Sequence, residues 1–182
     1  MSNQTTKSSK VNIRQITITA LFAAVIFVLT RFTAVPVGTG SGYFHFGDMA
    51  ILLAVAIVGW KYAALAAGIG AALADLTAGY AIWIIPTFIV KALFALVCGL
   101  IAQKLFKDKL YGYVIGAIVG AVVHIIGYFF SWALLFSFEA AFTTLPLLTF
   151  QTAIGLVGGV ILVSAINASG AASQIKKLAN IQ

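Results

Sequence analysis

The chain has 182 residues, of which 62% are hydrophobic and 8% charged, with a formal net charge of +7. A soluble domain of that size lacks the interior to hide so much apolar surface, so the composition excludes one and points to an integral membrane protein. Long apolar runs and only three prolines favour helices over the short alternating segments of a membrane barrel.

A span needs about 20 residues at a rise of ~1.5 Å each. Six spans are expected, in one all-α domain covering residues 1–182. Residues 1–11 form a polar, basic tail, and helix 1 runs over 12–33. That run is too long for a signal-peptide core and is followed by no small-x-small cleavage site, so it is expected to be retained. A loop at 34–47, rich in Gly and aromatic residues, holds Tyr43 and His45 and leads into helix 2 at 46–58, which is short for a span. Helix 3 is expected at 61–79, helix 4 at 82–105, helix 5 at 110–136 and helix 6 at 143–168, followed by a tail at 169–182.

The cations give the orientation. With six spans, Lys7, Lys10, Arg14, Lys61, Lys104, Lys107, Lys109, Lys176 and Lys177 fall on one side, Arg31 falls on the other, and Lys91 lies within. The positive-inside rule then puts both termini in the cytoplasm and makes 34–47 an outer, gating loop. The basic charge is thus a topology signal, and no nucleic-acid motif accompanies it. The lone Cys98 excludes an internal disulfide and a cysteine metal cluster.

Small residues recur at four-residue spacing: Ala20 and Ala24, Gly116 and Gly120, Gly155 and Gly159. Such positions let helix backbones approach closely in lipid, within the bundle or against a partner. The ionisable residues within or beside the spans are Asp48, Asp75, Lys91, His124 and Glu139. Each is a candidate functional group, because intramembrane charge is costly unless paired or hydrated. Lys91 is expected ~14 Å below the outer start of helix 4, near the midplane. Two readings stand for it: an ion pair with Asp75 across the helix 3–4 hairpin, or a pocket group that meets a bound anion or water.

Helical spacing supports a pocket. Trp83, Thr87 and Lys91 share one face of helix 4, and His124, Tyr128 and Trp132 share one face of helix 5. Gln151, with Thr144, Thr149 and Thr152, gives the outer half of helix 6 an unusual polar content. Flat aromatics with a few hydrogen-bonding groups suit a small, flat, polar ring compound. Trp83 and Trp132 also fit an interfacial aromatic belt. No Walker A sequence, HExxH motif or Ser/His/Asp arrangement is present, so neither a catalytic site nor an ATPase site is expected in this chain. His45, His124 and Asp48 have no ligand spacing, so no metal site is expected.

The stretch "GYFHFGDMAILLAVAIVGWKYAALAAGIGAALADLTAGYAIWIIPTFIVKALFALVCGLIA" resembles the substrate-binding S components of energy-coupling factor (ECF) vitamin transporters. The similar parts are the aromatic-plus-"GD" start of helix 2, "ALADLTAGY" at the end of helix 3, and "PTFIVKALFALVCGLI" in helix 4. Helix number and the lysine-rich inner side agree along the whole chain. The resemblance implies a bacterial cell-membrane protein that captures a vitamin or precursor at its outer face beneath a closing loop. It implies docking, through Ala20 and Ala24, on a transmembrane coupling subunit served by two cytoplasmic ATPases that use ATP. It carries Lys91, His124, Tyr128 and Gln151 to the pocket. Hydroxymethylpyrimidine or pyridoxine is favoured as ligand, with riboflavin or pantothenate next. The alternative is a stand-alone proton- or ion-coupled carrier or channel that uses Lys91 and Asp75.

The small-residue face of helix 1 is directly testable. Ala20→Trp and Ala24→Trp are expected to spare ligand binding and abolish ATP-driven uptake, read as vesicle accumulation. Normal uptake by both variants removes helix 1 from the docking surface.

Overall fold

The computed structural model describes residues 13–37 and 42–179. The expected tail at 1–11 and the tip of the gating loop lie outside them. The observed elements are α1 (Ile13–Phe32), β1 (Val35–Val37), β2 (Gly42–Phe44), α2 (Gly47–Val58), α3 (Trp60–Ala78), α4 (Ile84–Gly99), α5 (Leu110–Leu135), α6 (Phe138–Ala168) and α7 (Ala171–Ala179). A 3-10 turn, Ala81–Trp83, leads into α4, and a π-helical turn, Leu100–Leu105, ends it. The protein is an all-α membrane protein. Four stretches, Ile13–Phe32, Ala81–Leu105, Leu110–Leu135 and Phe138–Ala168, are long and apolar enough to cross a bilayer.

The α2 helix is the exception that organises the bundle. Its 12 residues rise only about 18 Å. Ten of them are buried, against a small minority of α1 or α6, so α2 is apolar on all sides because all sides are covered. It packs against α1, α3, α4 and α6, while the outer helices follow one another as α1–α3–α4–α5–α6. Two of the expected Gly pairs work inside the bundle. A Cβ on Gly116 would come 2.5 Å from the Cys98 carbonyl oxygen of α4, and one on Gly159 would come within 2.4 Å of Leu52 on α2. Ala20 and Ala24 are exposed on α1.

Three expectations change. The α6 helix begins at Phe138, five positions before the expected start, because Ser137 caps it: its Oγ accepts from the Ala140 N–H at 3.2 Å. Glu139 therefore lies in the first turn of α6 instead of a loop, where the helix dipole favours a carboxylate. The 169–182 tail is not all irregular, since α7 packs Ala172 and Ile175 against the bundle. The loop between α1 and α2 is a hairpin, with Val35 opposite Phe44 and Val37 opposite Gly42. Its base is tied to α1 where the Phe46 N–H donates to Thr33 Oγ1 at 3.0 Å.

Helices end alternately at two faces of the bundle. One, the hairpin end, carries the hairpin and the α3–α4 and α5–α6 turns. The other, the lysine end, carries Lys61, Lys104, Lys107, Lys109, Lys176 and Lys177. Gly116→Ala is expected to lower unfolding stability in detergent by about 1–3 kcal/mol, since a backbone oxygen cannot give way. Val119→Ala, on an exposed position of the same helix, is expected to stay within about 0.5 kcal/mol. Equal melting of both variants rules out close α4–α5 packing at this point.

Candidate functional site

A cavity of about 460 Å³ opens at the hairpin end, between the hairpin and the ends of α3 to α6. One wall is aromatic. Trp83 is buried, and its ring centre lies 4.8 Å from Trp132 and 6.1 Å from Tyr128. Phe136 extends this wall, 5.0 Å from Trp132. A second aromatic group comes from the hairpin, where Tyr43 lies 5.2 Å from Tyr80 and 5.6 Å from His45. The threonines Thr143 and Thr144 and the leucines Leu147 and Leu148 of α6 line the remaining side.

The polar groups are few and placed. Tyr43 donates its hydroxyl to Asp75 Oδ1 at 2.6 Å. Burial first, and then the Asp75 charge, raise the Tyr43 hydroxyl well above its usual range, so it stays a donor. Tyr128 donates to Thr87 Oγ1 at 3.1 Å. His45 Nδ1 accepts from the Gly47 N–H at 3.1 Å, and its Nε2 lies 3.4 Å from the Gln151 amide. Burial, reinforced by the Lys91 charge and opposed by Asp48, lowers His45 to about 3, so the ring is neutral at physiological pH. Two buried oxygens of the lining, Asp75 Oδ2 and Thr30 Oγ1, have no hydrogen-bond partner within 3.5 Å among the described residues, although the Thr87 hydroxyl lies close enough to interact with the Asp75 carboxylate. Such orphans are costly in an apolar interior.

Eight of the predicted pocket residues therefore meet in one cavity: Tyr43, His45, Asp75, Trp83, Thr87, Tyr128, Trp132 and Gln151. Lys91 and His124 do not line it. Each lies one helical turn deeper, below Thr87 and Tyr128 respectively. Burial of Trp83 in the cavity wall also replaces the belt reading for that residue. The lining residues Thr30, Tyr80 and Phe136 were not anticipated from sequence. Tyr80 and Phe136 lie one turn or less from Trp83 and Trp132 respectively in the helix-end turns, the one signal that could have found them.

The expected Lys91–Asp75 pair is not formed. Lys91 Nζ lies 2.5 Å from Asp48 Oδ1 and 2.8 Å from His124 Nε2, with both lysine and carboxylate 1% exposed. The reason is depth. Because α2 is short, its first turn starts about 15 Å from the lysine end, well inside the bundle. That places Asp48 level with Lys91, whereas Asp75 sits higher and is taken by Tyr43. Gly155 permits this approach: a Cβ there would come 2.6 Å from Asp48 Cβ.

The hydrogen bonds define the His124 tautomer. The Thr152 hydroxyl gives its hydrogen to the Leu148 carbonyl at 2.7 Å, so at 3.0 Å it accepts from His124 Nδ1–H. Nε2 is then a lone pair, and the Lys91 ammonium donates to it and to Asp48. The ammonium also sits 5.4 Å from the Tyr128 ring centre. This network joins α2, α4, α5 and α6 beneath the cavity floor and keeps the Lys91 ammonium out of the cavity lining.

The family model described as "ECF-type riboflavin transporter, S component" matches residues 10–168. The chain is 27% identical over 167 residues to the "Thiamine precursor transporter HmpT" of Lactococcus lactis subsp. cremoris (strain MG1363), covering 91% of this chain and 95% of that one. It is also 30% identical over 104 residues to a Pyrococcus woesei protein named only as an uncharacterized protein in a gap 3′ region, covering 57% of this chain and 68% of that one.

Removing one member of the buried pair leaves the other uncompensated. Lys91→Met is expected to destabilise the fold by about 3–5 kcal/mol, and Lys91→Met with Asp48→Asn to recover most of it. Thermal unfolding in detergent measures both. A Lys91→Met protein that melts like the parent and loses only ligand affinity reverses this assignment.

Proposed function

Because the chain belongs to the ECF-type riboflavin transporter S component family, we propose that it captures a small, flat, polar ring compound for ATP-driven uptake. A pyrimidine alcohol of the thiamine-precursor type is the preferred ligand, with pyridoxine close to it. The coarser statement, a substrate-capture subunit of vitamin uptake in a membrane, follows from the family and from the likeness to HmpT. The observation that carries the finer one is the aromatic wall of Trp83, Trp132 and Tyr128 facing the unpartnered Asp75 Oδ2.

Stacking between aromatic side chains rewards any flat ring, so it selects shape. The polar groups select chemistry. Asp75 is the cavity's charged lining residue, and its free oxygen accepts a hydrogen. A ring carrying an amino or hydroxymethyl donor satisfies it. An anion does not, because Lys91 is committed to Asp48 and His124 below the floor. That weighs against pantothenate, whose carboxylate calls for a free cation in the lining. It also takes away the Lys91–Asp75 pair on which a proton-coupled carrier was reasoned.

Riboflavin is the second reading. A cavity of about 460 Å³ exceeds the needs of one six-membered ring, and the matching family model carries riboflavin in its description. In either case the hairpin end is the outer face and the lysine end is cytoplasmic, where the ATPases work. Docking on the coupling subunit uses the exposed Ala20 and Ala24.

Small molecules released from the purified, denatured protein identify the ligand by mass spectrometry. Quenching of Trp83 and Trp132 fluorescence then ranks hydroxymethylpyrimidine, pyridoxine and riboflavin. Tightest binding of hydroxymethylpyrimidine is expected, and Asp75→Asn is expected to weaken it about 10- to 100-fold while the fold is kept. Tightest binding of riboflavin selects the second reading. Concentrative uptake by the pure protein in liposomes, without ATPase partners, overturns both.

A further inference from the structure

We propose that the lysine end carries a phosphate-binding pocket, and that its occupant is the headgroup of an anionic phospholipid. None of its residues lines the cavity at the hairpin end, so it is independent of the ligand reading.

The pocket is a concavity of about 320 Å³ where four segments meet beside Gln15 of α1. They are the α2–α3 corner at Gly59, the π-helical end of α4, the α4–α5 turn at Asp108, and α7 at Lys176. Gln103 ties the first two together. Its Oε1 accepts from the Trp60 N–H at 3.1 Å and its Nε2 donates to the Val55 carbonyl at 2.8 Å. The π-helical turn is what brings Gln103 and Lys104 to this place, and π-turns of this kind recur at functional sites.

The charge in the pocket is unbalanced. Lys61, Lys104 and Lys176 line it against one carboxylate, Asp108. Asp108 is already used: Oδ1 accepts from the Tyr113 hydroxyl at 2.6 Å, and Oδ2 lies 3.5 Å from Lys176 Nζ. Lys61 and Lys104 have no ion-pair partner among the described residues. Lys61 instead sits 5.0 Å from the Trp60 ring centre. Two uncompensated ammonium groups around a polar hollow suit a phosphate, which lysine binds as a point charge.

The setting selects a lipid over a soluble phosphate. The pocket lies where the apolar helix surfaces end, and Trp60 and Tyr62 in its lining are residue types that sit at the headgroup level. The α7 helix lies across the same end, with Ala172 and Ile175 turned to the bundle and Lys177 and Leu178 exposed. Basic residues between helices at a cytoplasmic face attract anionic lipid.

Native mass spectrometry of the full chain in detergent, with equal phosphatidylglycerol and phosphatidylcholine added, tests the site. One phosphatidylglycerol per chain is expected, preferred on the order of tenfold. Lys61→Gln with Lys104→Gln is expected to bring the two lipids to parity, and Lys61→Arg with Lys104→Arg to keep the preference. Both positions are exposed, so the melting temperature is expected to hold in each variant. Equal retention of the two lipids by the parent, or an undiminished preference in the glutamine variant, overturns the proposal. Tight binding of inorganic phosphate without any lipid preference overturns the lipid as occupant and leaves a soluble phosphate in its place.

Discussion

A lysine sealed in the middle of the helix bundle is the constraint on which this structure turns. An ammonium group there is tolerable only with a carboxylate and a second acceptor in contact. Lys91 obtains both from Asp48 and His124. The rest of the bundle is arranged to make that contact. The α2 helix is short, so Asp48 stands at the right depth, at a helix N-terminus whose dipole favours its charge. Gly155 lets α6 close over it. Thr152 sets the His124 tautomer so that a lone pair faces the lysine. Four helices thereby share one electrostatic knot.

The cavity is built on top of that knot. Thr87 and Tyr128 stand one turn above Lys91 and His124, and they hold each other by a hydrogen bond. His45, three residues before Asp48, holds the hairpin's descent into α2 through the Gly47 N–H and Gln151. The floor is therefore rigid and electrically neutral as a unit, while the mouth is lined by aromatics and two unsatisfied oxygens. A rigid floor with a shaped, partly unsatisfied mouth is a design for holding a ligand, and it fits a capture subunit better than a conduit.

The two ends of the bundle divide the chemistry. At the hairpin end, charge is scarce and hydrogen bonds are individually placed, which favours selection of one solute. At the lysine end, charge is plentiful and exposed, which favours a broad electrostatic surface. The non-glycine residues with left-handed backbone among the described ones, Lys107 and Asp108, are at the second end. Between them, close approaches at Gly116 and Gly159 lock the helices where neither end exerts a pull.

Membrane class, helix content, most helix limits and the grouping of eight of the ten proposed pocket residues around one cavity were legible in the chain, because they follow from local rules. Apolar runs report spans, and spacing of four reports a shared helical face, which is why Trp83, Thr87, Tyr128 and Trp132 could be grouped. The Ser137 cap was readable in principle, since a polar residue before Glu139 is a local signal. The partner of Lys91 was not readable. Asp48 and Asp75 are both single acids beside helices, and nothing local distinguishes them. The choice depends on how deep each helix begins, and that is decided only when α2 is enclosed by its neighbours. The sequence by itself determined which residues had to find partners. Tertiary packing decided who the partners are, because depth in a bundle is a property of helix lengths and contacts taken together, which no single segment carries.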